Sequence, residues 1–253
     1  MFLVSCNYNK SESSNILEFR EVEFSKTAGD CEQDDDVCIE ITIDYQLVEI
    51  GPDQIVGSIN HQIRESISTS MAGFIADSLE KSSDFSILSN YIIKSYEDFR
   101  EEFTDYAHKW YVEIRSYFLR NDESICCMCI ETNSYMGGAH GNDWLEILNF
   151  DSQTGKKISW KDMINDQNKF IQIAEKAFRE DNELADDADL DEEGYFFENN
   201  RYRLPENIGF SSEGMLFLYN TYEIAPYFMG RTSYTISWDQ LAGLLNEDWG
   251  DLL

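Results

Sequence analysis

Ile39 to Leu47 reads "IEITIDYQL", and the alternation in that stretch decides the fold class. Ile39, Ile41, Ile43, Tyr45 and Leu47 fall on one side of an extended chain, and Glu40, Thr42, Asp44 and Gln46 on the other, because successive side chains of a strand point to opposite faces. The segment is therefore a strand with one buried and one wetted face. Working outward, Leu17 to Phe24 supplies a partner strand. Downstream, "GPDQ" breaks the alternation and opens a helix, along which Ile55, Ile59, Ile63, Ile67, Met71, Ile75 and Leu79 recur every four residues. A second helical run covers about Ile87 to His108, with Ile92, Phe99, Phe103 and Tyr106 as its apolar side. His61 lies off the first stripe and is expected to be exposed. His108 is expected at the end of the second helix, where a partly charged imidazole suits the helix dipole.

From Trp110 come three strand-like segments, "WYVEIRSYFL", "SICCMCIETNSY" and "WLEILNF". "RNDE" separates the first two as a turn, and "GGAHGN" separates the second and third. "DSQTGKK" after Phe150 is a further turn. Ser159, with Asp162 three residues on, reads as the N-cap of a short helix, "WKDMI". An amphipathic helix follows from about Asp166 to Glu183, with Phe170, Ala174, Ala177 and Phe178 inward. "LADDADLDEEGYFFENN" is acidic and loop-like. Strands around "GMLFLYN" and "SYTISW" and a terminal helix, "DQLAGLLNE", close the chain. The order predicts an α+β fold: largely antiparallel sheets packed against several helices, in two closely associated subdomains.

The chain has 253 residues, 42% hydrophobic and 14% aromatic, enough for a proper apolar core. Its formal net charge is −30, from 19 basic and 49 acidic residues. Such an excess argues against nucleic acid, whose phosphates it would repel. It suits a solvated acidic surface, a basic protein partner or calcium. No stretch approaches the roughly 20 apolar residues of a transmembrane helix.

The N-terminus reads "MFLVSCNYNKSES". Leu3-Val4-Ser5-Cys6 resembles a bacterial lipobox, in which Cys6 carries the lipid and Met1 to Ser5 are removed. The basic n-region and most of the apolar h-region of a signal peptide are missing from this start. The alternative is an ordinary N-terminal cysteine. Cys31 and Cys38 flank "EQDDDV", a spacing that permits a local disulfide in an oxidising compartment if their Cα atoms come within about 7 Å. Cys126, Cys127 and Cys129 sit in one strand, with Cys127 and Cys129 on one face and Cys126 on the other. They read as buried free thiols rather than a metal site, which would lack nearby histidines.

Asp187, Asp189, Asp191 and Glu198 occupy positions 1, 3, 5 and 12 of an imitation EF-hand loop. Position 6 is Glu192, where the sharp turn needs glycine, so only weak association of calcium with the acidic cluster is left open. The chain has no G-x-S-x-G, H-E-x-x-H or P-loop motif, and no cofactor or catalytic residue is assigned. "YMGGAHGND", Tyr135 to Asp143, holds three glycines around His140. It reads mainly as a turn needing positive φ or close backbone approach, with His140 and Asn142 open as ligand contacts.

These last residues carry a family resemblance. "YMGGAHGNDWLEILNFDSQTGKKISWKDMI" and "FSSEGMLFLYNTYEIAPYFMGRTSYTISWDQLAGLL" resemble two signatures of a bacterial extracytoplasmic module. In the second, Glu223, Ile224, Ala225, Pro226, Tyr227 and Gly230 match. Thr221 stands where that family usually has proline, and Phe228 where it has a small residue. The resemblance implies a signal remnant and tether over 1–15, a PdaC-type domain over 16–148, an RsiV-like domain over 149–245 and a tail over 246–253.

In RsiV-type anti-sigma factors the module is the outer sensing part and binds lysozyme. In PdaC-type proteins it accompanies a peptidoglycan deacetylase. The segments that signal or deacetylate are not found here. The expectation is therefore a non-enzymatic lipoprotein of the cell envelope, periplasmic or on the outer membrane, that binds a lysozyme-like basic protein or cell-wall glycan. Candidate contacts are His140, Asn142, Tyr222, Glu223 and Tyr227, with Cys6 as the lipid attachment. The alternatives are an enzyme modifying wall polysaccharide and a structural envelope protein without a small ligand.

Overall fold

The chain builds two sheets in one α+β architecture. The computed structural model describes residues 17–31, 37–75, 82–105 and 108–252, with only the backbone at 251–252. Cys6, Leu79 and Tyr106 lie outside the described residues, as does the 32–36 segment of the acidic "EQDDDV" loop.

The alternating stretch Ile39 to Leu47 lies in β2, Cys38–Ile50, which pairs antiparallel with β1, Glu18–Gly29. All five inward residues of the alternating stretch are buried. Beyond β2, α1 runs Asp53–Ala72 and α2 Phe85–Glu102. Asp84 caps α2, its carboxylate accepting from the Ser86 amide at 2.8 Å. Next come β3, Trp110–Asn121, β4, Ile125–Tyr135, and β5, Asn142–Asp151. The sheet order is β1-β2-β3-β4-β5. β2 and β3 are parallel, as the two-helix crossover between them requires, and the other neighbours are antiparallel.

Both helices cover one face of this sheet. Ile55, Ile59, Ile63, Ile67 and Met71 of α1 meet Ile39, Ile41, Ile43, Val112, Ile114, Met128 and Phe150 in one cluster. Each such isoleucine contributes about 1.5–3 kcal/mol by burial.

The opposite face of β3, β4 and β5 is covered by the second half of the chain. After α3, Trp160–Met163, and α4, Gln167–Asp181, a three-stranded antiparallel sheet forms from β6, Asn207–Phe210, β7, Gly214–Tyr219, and β8, Thr232–Ser237. A four-residue helix, α5, Trp238–Leu241, follows. Phe170, Phe178, Phe210, Phe217, Tyr219 and Ile236 pack here with Ile125 and Cys127. Cys126 belongs to the first cluster and Cys127 to the second, so adjacent thiols serve opposite faces of β4. β5 runs through Leu148 and on to Asp151 as a single strand.

Asparagine side chains fasten the two sheets along the free edge of β5. Asn220 accepts from the Leu145 amide at 2.8 Å and donates to its carbonyl at 2.9 Å. Asn207 accepts from the Ile147 amide at 2.9 Å. Asn149 donates to the Ile208 carbonyl at 2.7 Å and accepts from the Phe210 amide at 3.0 Å. These carboxamides satisfy edge groups that a further strand would otherwise take.

Several sequence expectations need correction. α1 stops at Ala72, so Ile75 lies in the turn beyond it rather than on the helical stripe. α2 stops at Glu102, and His108 lies past it instead of serving its dipole. Phe103 is the C-cap and is exposed. β6 was not anticipated, because "NIGF" is short and has no alternation of its own. The terminal helix has only one turn. Among the described residues no helix is long and apolar enough to cross a membrane.

Candidate functional site

The glycines of "YMGGAHGND" have separate jobs. Gly137 sits at φ +83, and a Cβ there would lie 2.8 Å from the Trp110 indole. Only glycine satisfies both conditions. Gly141 would bring a Cβ to 3.0 Å from the Ser134 carbonyl, whereas a Cβ on Gly138 would make only an ordinary 3.8 Å contact with the His140 carbonyl. The turn closes the β4–β5 hairpin with Ser134 opposite Asn142 and Thr132 opposite Trp144.

The hairpin tip holds His140 against two tyrosines from the loop between β7 and β8. The His140 ring stacks on Tyr227 at 3.9 Å between centroids, with 22° between planes. Its Nε2 lies 3.2 Å from the Tyr222 hydroxyl, and its Nδ1 lies 2.8 Å from the Gly141 carbonyl. Tyr227 donates to that same carbonyl at 3.3 Å. His140, Tyr222 and Tyr227 thus form one exposed aromatic cluster from segments more than 80 residues apart.

Tyr222 is strained and open. It has φ 69, a left-handed conformation rare for a bulky side chain, and is 54% exposed. A tight loop holds it there: the Glu223 amide donates to the Asn220 carbonyl at 2.9 Å, and the Asn220 amide donates to the Glu223 carboxylate at 2.9 Å. Glu223 therefore faces inward, its other oxygen 3.4 Å from Arg203, and is not part of the exposed cluster. Next to the cluster, Arg231 bridges Glu131 and Asp143, and Thr221 donates to Asp143 at 2.9 Å.

Beside the cluster lies a two-lobed groove between the end of α1 and the β4–β5 hairpin. One lobe, of about 320 Å³, includes Thr132, Trp144, Thr221 and Tyr222 in its wall. The other, of about 270 Å³, includes Met136, Gly138 and His140. Phe74, Ser134 and Asn142 line both. Asn142 is thus at the centre of the groove. Thr132, Trp144 and Phe74 were not among the sequence candidates, although the hairpin register that pairs Thr132 with Trp144 follows from the turn position alone.

Residues 160–239 match the model of DUF3298, a protein family of unknown function. The matched stretch contains β6, β7, β8 and the Tyr222–Tyr227 loop. A DUF3298 family member from Bacteroides fragilis has the same fold, with a TM-score of 0.72 over 94% of this chain and 97% of that one, at 19% identity. A DUF3298 family protein from Pseudomonas aeruginosa gives 0.63 over 92% and 95%, at 18% identity. No curated protein matches the chain.

The remaining candidate residues lie elsewhere. Cys31 and Cys38 are joined as a disulfide, with Cα atoms 5.1 Å apart. Asp189 of the acidic loop turns its carboxylate onto its own backbone, accepting from the Asp191 amide at 3.0 Å. Cys126, Cys127 and Cys129 are buried and unpaired. Burial pushes the Cys126 thiol up to about 12 and Cys129 to about 11, with Cys127 raised further.

Proposed function

We propose that this protein is a non-enzymatic ligand-binding module of the bacterial cell envelope, held to a membrane by a lipid on Cys6, with the His140–Tyr222–Tyr227 cluster as its contact surface. The observation that carries the reading is Tyr222. A left-handed backbone costs a non-glycine residue about 1–2 kcal/mol, and here that strain presents an aromatic ring to solvent beside two others. Strained, exposed aromatics are a recurring mark of recognition surfaces.

Two ligand classes follow from the resemblance to RsiV-like and PdaC-type modules: a lysozyme-like basic protein and cell-wall glycan. The net charge of −30 supports the first, since it would draw a cationic partner from a distance. Both departures from the family pattern, Thr221 and Phe228, fall in the loop that carries Tyr222, and Phe228 is 84% exposed. A module that varies at its contact loop fits variation in ligand.

The reading against catalysis rests on His140. Its nitrogens meet a carbonyl and a phenol; the carbonyl fixes the tautomer, and neither group is the carboxylate partner of an acid–base triad. Calorimetry with lysozyme and with solubilised peptidoglycan fragments tests the proposal. Saturable binding of at least one, lost in a Tyr222→Ala/Tyr227→Ala variant, is expected. Absence of binding to either, or turnover of the glycan, would overturn it.

A further inference from the structure

We infer that Asp143 is a positioning residue for the contact cluster: its carboxylate holds both ends of the loop between β7 and β8 against the β4–β5 hairpin, and so fixes Tyr222 and Tyr227 beside His140. This rests on the binding-module reading and names the residue on which the shape of that surface depends.

The first support is convergence. The loop leaves β7 after Tyr219 and enters β8 at Thr232. Near its start, the Thr221 hydroxyl donates to one carboxylate oxygen of Asp143 at 2.9 Å. At its end, Arg231 forms an ion pair with the other oxygen. Arg231 also donates to Glu131 at 2.8 Å. Asp143 lies opposite Asn133, two residues along β4 from Glu131, so the two carboxylates are diagonal neighbours on one face of the hairpin. One guanidinium spans them, and one carboxylate receives both ends of the loop.

The second support is the strain at Tyr222. Its backbone sits at φ 69, a conformation that persists where the neighbours over-determine it. On one side, the Glu223 amide and carboxylate close on Asn220. On the other, Thr221 is tied to Asp143. Asn220 is itself bonded to both backbone groups of Leu145, so the root of the loop stays in place without Asp143. What Asp143 adds is the direction in which the chain leaves that root.

The third support is relative strength. Where the rings meet the hairpin, the hydrogen bonds are long and exposed: 3.2 Å between the Tyr222 hydroxyl and the His140 ring, and 3.3 Å from Tyr227 to the Gly141 carbonyl. The Arg231 contacts join ionised partners whose side chains are at most 33% exposed. Charge-assisted hydrogen bonds are roughly twice as strong as neutral ones, and solvent competes less for partners that are partly shielded. The stack of His140 on Tyr227 therefore follows the position of the loop rather than setting it.

The test is proton NMR of the His140 ring in the full chain, with no ligand added. The chain has three histidines, so His140→Gln assigns the signals and Tyr227→Ala gives their unstacked position. In the wild type the ring current of Tyr227, stacked at 3.9 Å, displaces them. Asp143→Ala should move the His140 signals at least halfway to the Tyr227→Ala position, while those of His61 and His108 hold still and the melting temperature falls by no more than about 4 °C. Thr221→Val and Arg231→Gln, each cutting one tie, should move them part of the way. A role in stability alone would lower the melting temperature without moving the His140 signals, and that result overturns the inference. If Asp143→Ala does not fold, the two single-tie variants decide, and His140 signals unchanged in both overturn it. The outcome is independent of whether lysozyme or peptidoglycan fragments bind: a failed calorimetric titration removes the binding-module reading, and an unmoved His140 signal removes this one.

Discussion

Asn220 closes on both backbone groups of Leu145, its carboxamide accepting from the amide at 2.8 Å and donating to the carbonyl at 2.9 Å. One side chain from the second sheet thus stands in for a strand residue at the edge of the first. The same asparagine accepts, through its own carbonyl, from the Glu223 amide that shapes the Tyr222 turn. The joint between the sheets and the contact loop are therefore a single construction.

Asn220→Ala is expected to destabilise the fold by about 3 kcal/mol, because it strands a buried donor and a buried acceptor on Leu145. Denaturant unfolding measures this. A loss within the ordinary surface range, about 0.5 kcal/mol, would mean that the edge of β5 needs no cap.

Gly137→Ala and Gly138→Ala should differ sharply. The first forces a Cβ against the Trp110 indole at positive φ, while the second makes only an ordinary van der Waals contact, 3.8 Å from the His140 carbonyl. A cost of about 2 kcal/mol or more is expected for Gly137→Ala and near zero for Gly138→Ala. Thermal melts of the pair separate an architectural glycine from an incidental one.

Tyr222→Gly should leave stability unchanged or raise it by up to about 1 kcal/mol, since glycine relieves the left-handed strain. Ligand binding should fall nonetheless. A clear loss of stability would assign Tyr222 to the fold rather than to recognition.

Asp122 sets a pH dependence. Burial pushes its carboxyl up, but the Ile125 and Ser124 amides and Arg120 together outweigh that and hold it below the ordinary carboxylate value of 3.8. A depressed carboxyl contributes stability that is present above its unfolded value and disappears as pH falls through its folded value. The stability gap between the wild type and Asp122→Asn should therefore be full near neutral pH and shrink as the pH falls below the ordinary carboxylate value. Unfolding curves at both conditions check this.

The thiols should sort by burial. In a Cys6→Ser background, the folded oxidised chain should show no reactive thiol at neutral pH, because Cys126, Cys127 and Cys129 are buried with raised pKa values. Unfolding should release three, and reduction of Cys31–Cys38 two more. Thiol counting reads this directly.

The sequence made the first sheet legible because β2 alternates and α1 repeats every four residues, patterns set by local geometry. It placed Cys126 opposite Cys127 for the same reason. It missed β6, whose four residues are all buried between other elements and so carry no alternation. It extended α2 to His108 because apolar spacing continues past the last helical turn. At the site, the glycines and His140 stood out by residue type. Thr132 and Trp144 did not, since they line a groove only where the fold brings the hairpin to the end of α1 and to Thr221, which no local pattern encodes.

The most direct measurement is a backbone amide footprint of the full chain with and without saturating lysozyme or peptidoglycan fragments. The account predicts that a bound ligand protects the amides around His140 and those of the Thr221–Phe228 loop. Saturable binding with protection confined to other surfaces would contradict it.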